Sequence, residues 1–406
     1  MLTRLILVSF ITFAFKPGLS TQNRLLIISL DGFSHDYLKT HTLPTINRFR
    51  NEGVQATQGM RPTYVTMTFP NHISIATGSR DEGQWSDPKV EPIWITATKQ
   101  KKNTAVLFWP ASNNDFHGIR PVIYNWMYSD TISFREKIDN AISYFRDLNI
   151  QLAMIYHYEP DAHGHWYGTD SKEMHDILIQ LDSDIDYLLT KVKNELDDDL
   201  DIILLSDHGM INIKKVVRPF VDGYLDPSLV EDAVLSGPYF SVTPIPGQVQ
   251  RVMNDLTRIP NVTIYTRDKL PDRFHYSKPV HRLGDIFVIP DEEGVFFLES
   301  KVNDTYYQKA NHGWDNSLPS MQAIFMARGP SFNQQVQINS LNNVDIYHIA
   351  CRILNLTPNP YATAGSLDNL TSIFRVKNSS NIYSPSLIHP ILLLFLFIFN
   401  SDIRSG

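Results

Sequence analysis

Apolar residues run almost unbroken through three short stretches of this chain, and each stretch ends close to a carboxylate. Leu25-Leu-Ile-Ile-Ser-Leu30 is followed by Asp31-Gly32-Phe33. Leu152-Ala-Met-Ile-Tyr156 leads to Glu159-Pro-Asp161-Ala-His163-Gly-His165, and Asp201-Ile-Ile-Leu-Leu-Ser206 leads to Asp207-His208-Gly209. Runs of this length without polar alternation mark strands covered on both faces, as in parallel sheets. A fourth segment, His312-Gly-Trp-Asp315, precedes the strand-like Gln322-Ala-Ile-Phe-Met326. Between these runs, Pro44–Gly53, Pro70–Thr77, Asp139–Leu148 and His175–Glu195 read as helices. Ile177, Ile179, Leu181, Ile185, Leu188 and Leu189 are assigned to the core face of the last helix. The alternation predicts an α/β domain with a mostly parallel central sheet flanked by helices. Residues 212–300 hold shorter runs and several prolines, and read as a smaller inserted region.

Open α/β sheets build their sites at the carboxyl ends of strands. Asp31, Asp161, His165, Asp207, His208 and His312 fall at or near such ends, and are side chains of the kinds that bind zinc. Thr68, in Thr66-Met-Thr-Phe-Pro-Asn-His72, stands just before a helix entry, where its hydroxyl meets the positive helix end. A threonine hydroxyl is a weak nucleophile unless a base or metal takes its proton. Asn71 reads as a brace of that helix. His72, His157 and His163 read as structural hydrogen-bonding groups, with His157 also placed to support a ligand carboxylate. Phe69 and Tyr128 each admit two readings, core packing or a ring facing the substrate.

The strings D-G-F, T-F-P-N-H, E-P-D-x-x-G-H, S-D-H-G-M, H-G-W-D-N-S-L-P-S-M and A-R-G-P-S-F occur in this order between about Arg24 and Phe374. In combination they resemble the nucleotide pyrophosphatase/phosphodiesterase family of the alkaline-phosphatase superfamily. The resemblance implies an alkaline-phosphatase-like fold and two Zn²⁺ ions, one held by Asp31, Thr68, Asp207 and His208, the other by Asp161, His165 and His312. It implies that Thr68 is the nucleophile that becomes covalently nucleotidylated, and that Tyr128 lies in the region where relatives stack a nucleobase. The expected reaction is hydrolysis of phosphodiester or pyrophosphate bonds in extracellular nucleotides to give nucleoside monophosphates. Alternatives are a choline- or lysophospholipid-directed phosphodiesterase, and a surface binding protein with weakened catalysis. The chain departs from the family after Gly78. Relatives carry a longer segment with an H-G-I-x-x-N-type string whose asparagine helps hold phosphate, whereas here Thr77–Trp85 passes quickly to Glu91-Pro-Ile-Trp94. Met67 stands where many relatives have a lysine. Both changes predict a weaker hold on the phosphate.

At 406 residues and 43% hydrophobic content, the chain has ample material for one large domain, expected over 21–375. Its net charge of −7 gives no general basic field for nucleic acid, so a small phosphodiester is the expected partner and no nucleic-acid scaffold binding is expected. Residues 1–20 read as a signal peptide, with Arg4 before the apolar stretch Leu5–Phe15. Sequons at Asn261, Asn303, Asn355, Asn369 and Asn378 fit a glycosylated, secreted chain. Residues 376–406 read as a spacer and hydrophobic tail that anchors the protein at the extracellular membrane face. Ile391–Phe399 is shorter than the roughly 20 residues of a spanning helix. A lipid-anchor signal and a short membrane helix that adds Leu387-Ile388 therefore both stay open. The single cysteine, Cys351, permits no intrachain disulfide and reads as a small buried residue of a helix over Val344–Leu354.

Overall fold

The computed structural model describes residues 23–80, 87–125, 127–276, 283–299 and 308–376. The expected signal peptide, the tail from 377, Asn303, Asn378 and residues 81–85 of the shortened segment lie outside the described residues. Strands Leu25–Leu30 (β1), Val54–Ala56 (β2), Thr104–Leu107 (β3), Ile123–Tyr124 (β4), Leu152–His157 (β5), Asp201–Leu205 (β6), Phe325–Arg328 (β7) and Val336–Ile338 (β8) make one sheet. Their order is β8-β2-β7-β6-β1-β5-β3-β4. Only β7 runs antiparallel to its neighbours β2 and β6. The sheet is mostly parallel, as the unbroken apolar runs predict. Every residue of β1, β5 and β6 is buried. That explains why these strands carry no polar alternation.

The order matters for the site. β1 pairs in parallel with both β5 and β6, with Leu30 beside His157 and Ser29 beside Leu205. Three adjacent strands therefore release their chains at one edge, and Asp31, Asp161 and Asp207 leave from it.

Helices cover the sheet: Pro44–Glu52 (α1), Thr68–Thr77 (α2), Phe134–Asp147 (α3), Asp161–Tyr167 (α4), Lys172–Leu196 (α5) and Asp345–Leu354 (α6). The α5 helix starts where the Ser171 hydroxyl accepts from Met174 N, and ends on Asp197 in the left-handed region. Its buried stripe is Met174, Leu178, Leu181, Ile185, Leu188, Leu189, Val192 and Leu196. Ile179, expected on that face, is 40% exposed, and Ile177 is only partly buried. A three-or-four spacing from Leu181 selects Leu178 and Ile177, which packs against the core, and passes over Ile179. Cys351 is buried in α6.

Within 212–300, four antiparallel strands form a second sheet in the order Val230–Ser236, Tyr239–Pro244, Ile286–Pro290, Val262–Thr266. Phe240, Val242, Val252, Leu256, Val288 and Phe297 pack there into a separate apolar cluster. The described residues up to Phe374 nevertheless form one compact unit.

One buried charge is unusual. Lys137 of α3 is fully buried, its ammonium donating to Tyr156 O at 3.2 Å and lying 4.7 Å from the Phe108 ring centre. Burial pushes its pKa from the usual 10.5 down to about 8. Between these values the unfolded chain binds the extra proton, so this residue makes stability rise with pH. Comparing urea unfolding of the parent and Lys137→Met at pH 7.5 and 10.5 should show the difference between them shifting by about 3 kcal/mol in the parent's favour at the higher pH. Parallel curves would refute the buried charge.

Candidate active site

Each strand-end carboxylate is placed by a local device. Gly32, at φ +65°, turns the chain so tightly that a Cβ there would sit 2.8 Å from Asp161 Cβ. Its amide donates to Asp207 Oδ1 at 3.1 Å. Gly209 lets the Asp207-His208 turn pass against Ser320, whose carbonyl would lie 1.9 Å from any added Cβ. These close approaches are what the glycines of D-G-F and S-D-H-G-M provide. His312 arrives differently. Ala310–Asn311 pairs antiparallel with Ile211–Asn212, just beyond the Asp207–Gly209 turn, and the His312 ring stacks on His208 at 3.6 Å.

Three imidazoles share one orientation logic. The Nδ1–H of His208 donates to Gly209 O at 2.9 Å, that of His312 to Thr66 O at 2.8 Å, and that of His165 to Ala310 O at 3.0 Å. A carbonyl only accepts, so each bond fixes the tautomer and leaves Nε2 with its lone pair toward the carboxylates. His208 Nε2 lies 3.1 Å from Asp207 Oδ2 and 3.4 Å from Asp31 Oδ1. His165 and His312 Nε2 lie 3.3 and 3.5 Å from Asp161 Oδ2 and Oδ1. Acceptors thus face acceptors, and Asp31 Oδ1, Asp161 Oδ1 and Asp207 Oδ2 are buried without a hydrogen-bond partner. Such an arrangement needs protons or a cation between its members.

The titration directions agree. Burial, then Asp207 and Asp161, hold the Asp31 carboxyl well above the usual range. For Asp207 burial alone would raise the pKa, but the neighbouring His208 and His72 outweigh it and the net shift is downward. Burial and then His208 push the His312 imidazole down to about 3. Two overlapping donor sets result, Asp31/Asp207/His208 and Asp161/His208/His312, with the donor atoms of each within 4.8 Å of one another. His208 belongs to both, and His165 reaches the second through Asp161.

Thr68 is the first residue of α2, and its Oγ1 lies 3.3 Å from His208 Nε2. Asn71 braces the approach, donating to Val65 O and Met67 O and accepting from Thr63 N and Asn343 Nδ2. The His72 ring is used on both sides, bonding Thr68 O at 2.8 Å and Ser29 Oγ at 2.9 Å. His163 pairs with Glu159 at 2.8 Å. The seven residues expected as metal ligands, Asp31, Thr68, Asp161, His165, Asp207, His208 and His312, therefore gather at one edge of the sheet.

One supporting group was missed. Tyr156 OH donates to Asp31 Oδ2 at 2.6 Å, whereas His157, expected near a ligand carboxylate, stacks on Phe134 at 4.8 Å and leaves Nδ1 unpaired. Tyr156 reads as one more apolar strand residue. Only its pairing opposite Ser29, two residues before Asp31, brings its hydroxyl to the site.

Phe69 and Tyr128 are 65% and 51% exposed and line a cavity of about 550 Å³ with Thr68, Trp109, Asn125 and Tyr156. Neither is a core residue. The family profile described as "Type I phosphodiesterase / nucleotide pyrophosphatase" matches residues 25–83 and 79–315. The chain belongs to this family. It is accordingly a hydrolase of the phosphodiesterase/nucleotide pyrophosphatase class. Bis(5'-adenosyl)-triphosphatase of Bos taurus is 33% identical over 366 residues, covering 83% of this chain and 79% of its own length. Ectonucleotide pyrophosphatase/phosphodiesterase family member 5 of Homo sapiens is 30% identical over 401 residues, covering 89% and 81%. Among solved structures, murine ectonucleotide pyrophosphatase/phosphodiesterase 5, an inactive threonine-to-alanine variant in complex with AMP, superposes with a TM-score of 0.77. That protein shares 28% identity, and the match covers 87% of this chain and 100% of the other. The two matched stretches overlap at 79–83, within the segment expected to be shortened.

Proposed function

We propose that this family member hydrolyses phosphodiester or pyrophosphate bonds of extracellular nucleotides to nucleoside monophosphates, with Thr68 as the covalent nucleophile and two zinc ions as cofactors. The observation that carries this reading is the Thr68 hydroxyl at the start of α2, 3.3 Å from His208 Nε2 and on the wall of an aromatic cavity.

The donor groups fit zinc in number, type and lack of other partners. Asp31, Thr68, Asp207 and His208 would hold one ion, and Asp161, His165 and His312 the other. Bound there, zinc would stabilise charge on the phosphoryl oxygens and favour ionisation of hydroxyl groups. Thr68 Oγ attacks phosphorus in line with the leaving oxygen, forms a nucleotidyl-threonine diester, and gives up its proton as the leaving group departs. Water then attacks from the side the leaving group vacated, releases the monophosphate and restores the hydroxyl. Phe69 and Tyr128 offer two exposed rings for a base, and Asn71 holds the turn that aims the nucleophile. The lysine-free position at Met67 and the short segment after Gly78 favour modest phosphate affinity.

An extracellular setting is part of the proposal. It rests on the apolar leader and on Asn261, Asn355 and Asn369, which are all exposed. Surface anchoring rests on the apolar tail alone. Among the described residues no helix is long and apolar enough to cross a membrane.

The test is a side-by-side assay of the zinc-loaded protein on p-nitrophenyl thymidine 5'-monophosphate and on p-nitrophenyl phosphocholine. The nucleotide ester should be turned over with the higher kcat/KM. Preference for the choline ester would move the substrate class to phospholipids. Inactivity on both would leave a binding protein.

A further inference from the structure

Thr68 and Phe69 stand on a ridge between two cavities. One is the aromatic cavity already described, and the other, of about 510 Å³, shares only Thr68 and Phe69 with it and lies between Met67, His165, His312 and the second sheet. We propose that this second cavity is the leaving-group subsite and that it selects uncharged organic leaving groups, alcohols and phenols with an apolar or aromatic body, over pyrophosphate. The inference rests on the Thr68 reaction proposed above.

Its place follows from in-line displacement. The bond to Thr68 Oγ forms as the bond to the leaving oxygen breaks, and the leaving oxygen takes up a proton or keeps the negative charge. Water later enters from the vacated side, which is taken as the side of the second donor set, since Thr68 is assigned with the first. His165 and His312 line the second cavity, and neither is among the residues of the first. The first cavity therefore receives the part of the substrate that stays on phosphorus, and the second the part that departs.

Its selectivity follows from the walls. Leu235, Phe296, Phe297 and Leu298 form one side and Met67 stands beside the nucleophile. Ser236 adds one neutral hydroxyl, and the amides of Gln308 and Asn311 bond each other at 2.7 Å, while Asn311 Oδ1 also accepts from His312 N. Among the described residues the wall holds no lysine or arginine. Beyond the ion that His165 and His312 would hold, multiply charged pyrophosphate gains no cationic side chain here among the described residues to offset its lost hydration, whereas a phenol or a nucleoside alcohol buries apolar surface.

The experiment compares kcat/KM on p-nitrophenyl thymidine 5'-monophosphate and on ATP, two substrates with good leaving groups of opposite character. The parent should favour the ester at least about tenfold, the equivalent of roughly one charge-assisted hydrogen bond withheld from pyrophosphate. Leu235→Lys, which puts an ammonium on the wall, should shift the ratio toward ATP by about tenfold or more. Val234→Lys adds the same charge at a neighbouring position that is 48% exposed and not part of the cavity, and should leave the ratio unchanged. A parent that prefers ATP overturns the proposal without any variant, as does an equal shift from both lysines. Activity on both substrates with no shift from Leu235→Lys sinks the subsite but spares the Thr68 reading. Failure of the zinc-loaded parent on both substrates removes the two together.

Discussion

Thr68→Ala should lower turnover of a nucleotide ester by about a thousandfold or more while leaving the fold and most bound zinc in place. The methyl group of alanine fits a half-buried helix start, and the N-terminal turn stays braced by Asn71, so nothing in the packing depends on the hydroxyl. Asp31, Asp207 and His208 remain as donors. What disappears is the oxygen that forms the covalent ester. Thr68→Ser keeps that oxygen and should recover part of the rate, with some loss from the freer rotation of a side chain that lacks the branch methyl. Rapid-quench detection of a labelled nucleotidyl-threonine in the parent, absent in the alanine variant, checks the step directly. Turnover by Thr68→Ala at the parent rate would falsify covalent catalysis whatever the metal content.

Asp207→Asn attacks the site from its other side. Asp207 is fully buried, and Oδ1 is spent on the Gly32 amide while Oδ2 faces His208 and His72 at 3.1 and 3.3 Å. The substitution keeps the shape and removes the charge that offsets a cation. Zinc retention should fall by about a hundredfold or more, with activity following it, because the remaining carboxylate and imidazole cannot replace an anionic ligand. Metal content after dialysis against a graded chelator series gives the readout. Asp207→Asn protein that keeps parental zinc through that series would show that the Asp31/Asp207/His208 set is not a metal site.

The parts of this molecule legible in the sequence are those whose cause is local. β1, β5 and β6 announce themselves because burial on both faces leaves only apolar residues, and their ligands follow within a few positions. Thr68 was legible from the string around it and from its place at a helix start. Groups whose role depends on lateral neighbours were not. Tyr156 looks like core until β5 is laid against β1, and Ile179 looks like core until the helix is rotated to put Leu178 inward. The second cavity is hardest to read, because its walls come from Met67, residues 235–237 and residues 296–298, which share no periodicity. His312 was recognised by its motif, but its route to the site, a short ladder onto Ile211–Asn212, had no signature beforehand.

The donors at this edge are separated by most of the chain, from Asp31 to His312, and they meet only after β1 has settled between β5 and β6 and the Ala310–Asn311 ladder has closed. An ion therefore finds no complete coordination shell in a partly folded chain and cannot serve as an early nucleus. Its binding energy acts on the finished state, and so falls on the rate of unfolding far more than on the rate of folding. On the reading that this edge holds metal, the ion would act as a latch fitted last: it would lengthen the lifetime of the native chain without hastening its assembly.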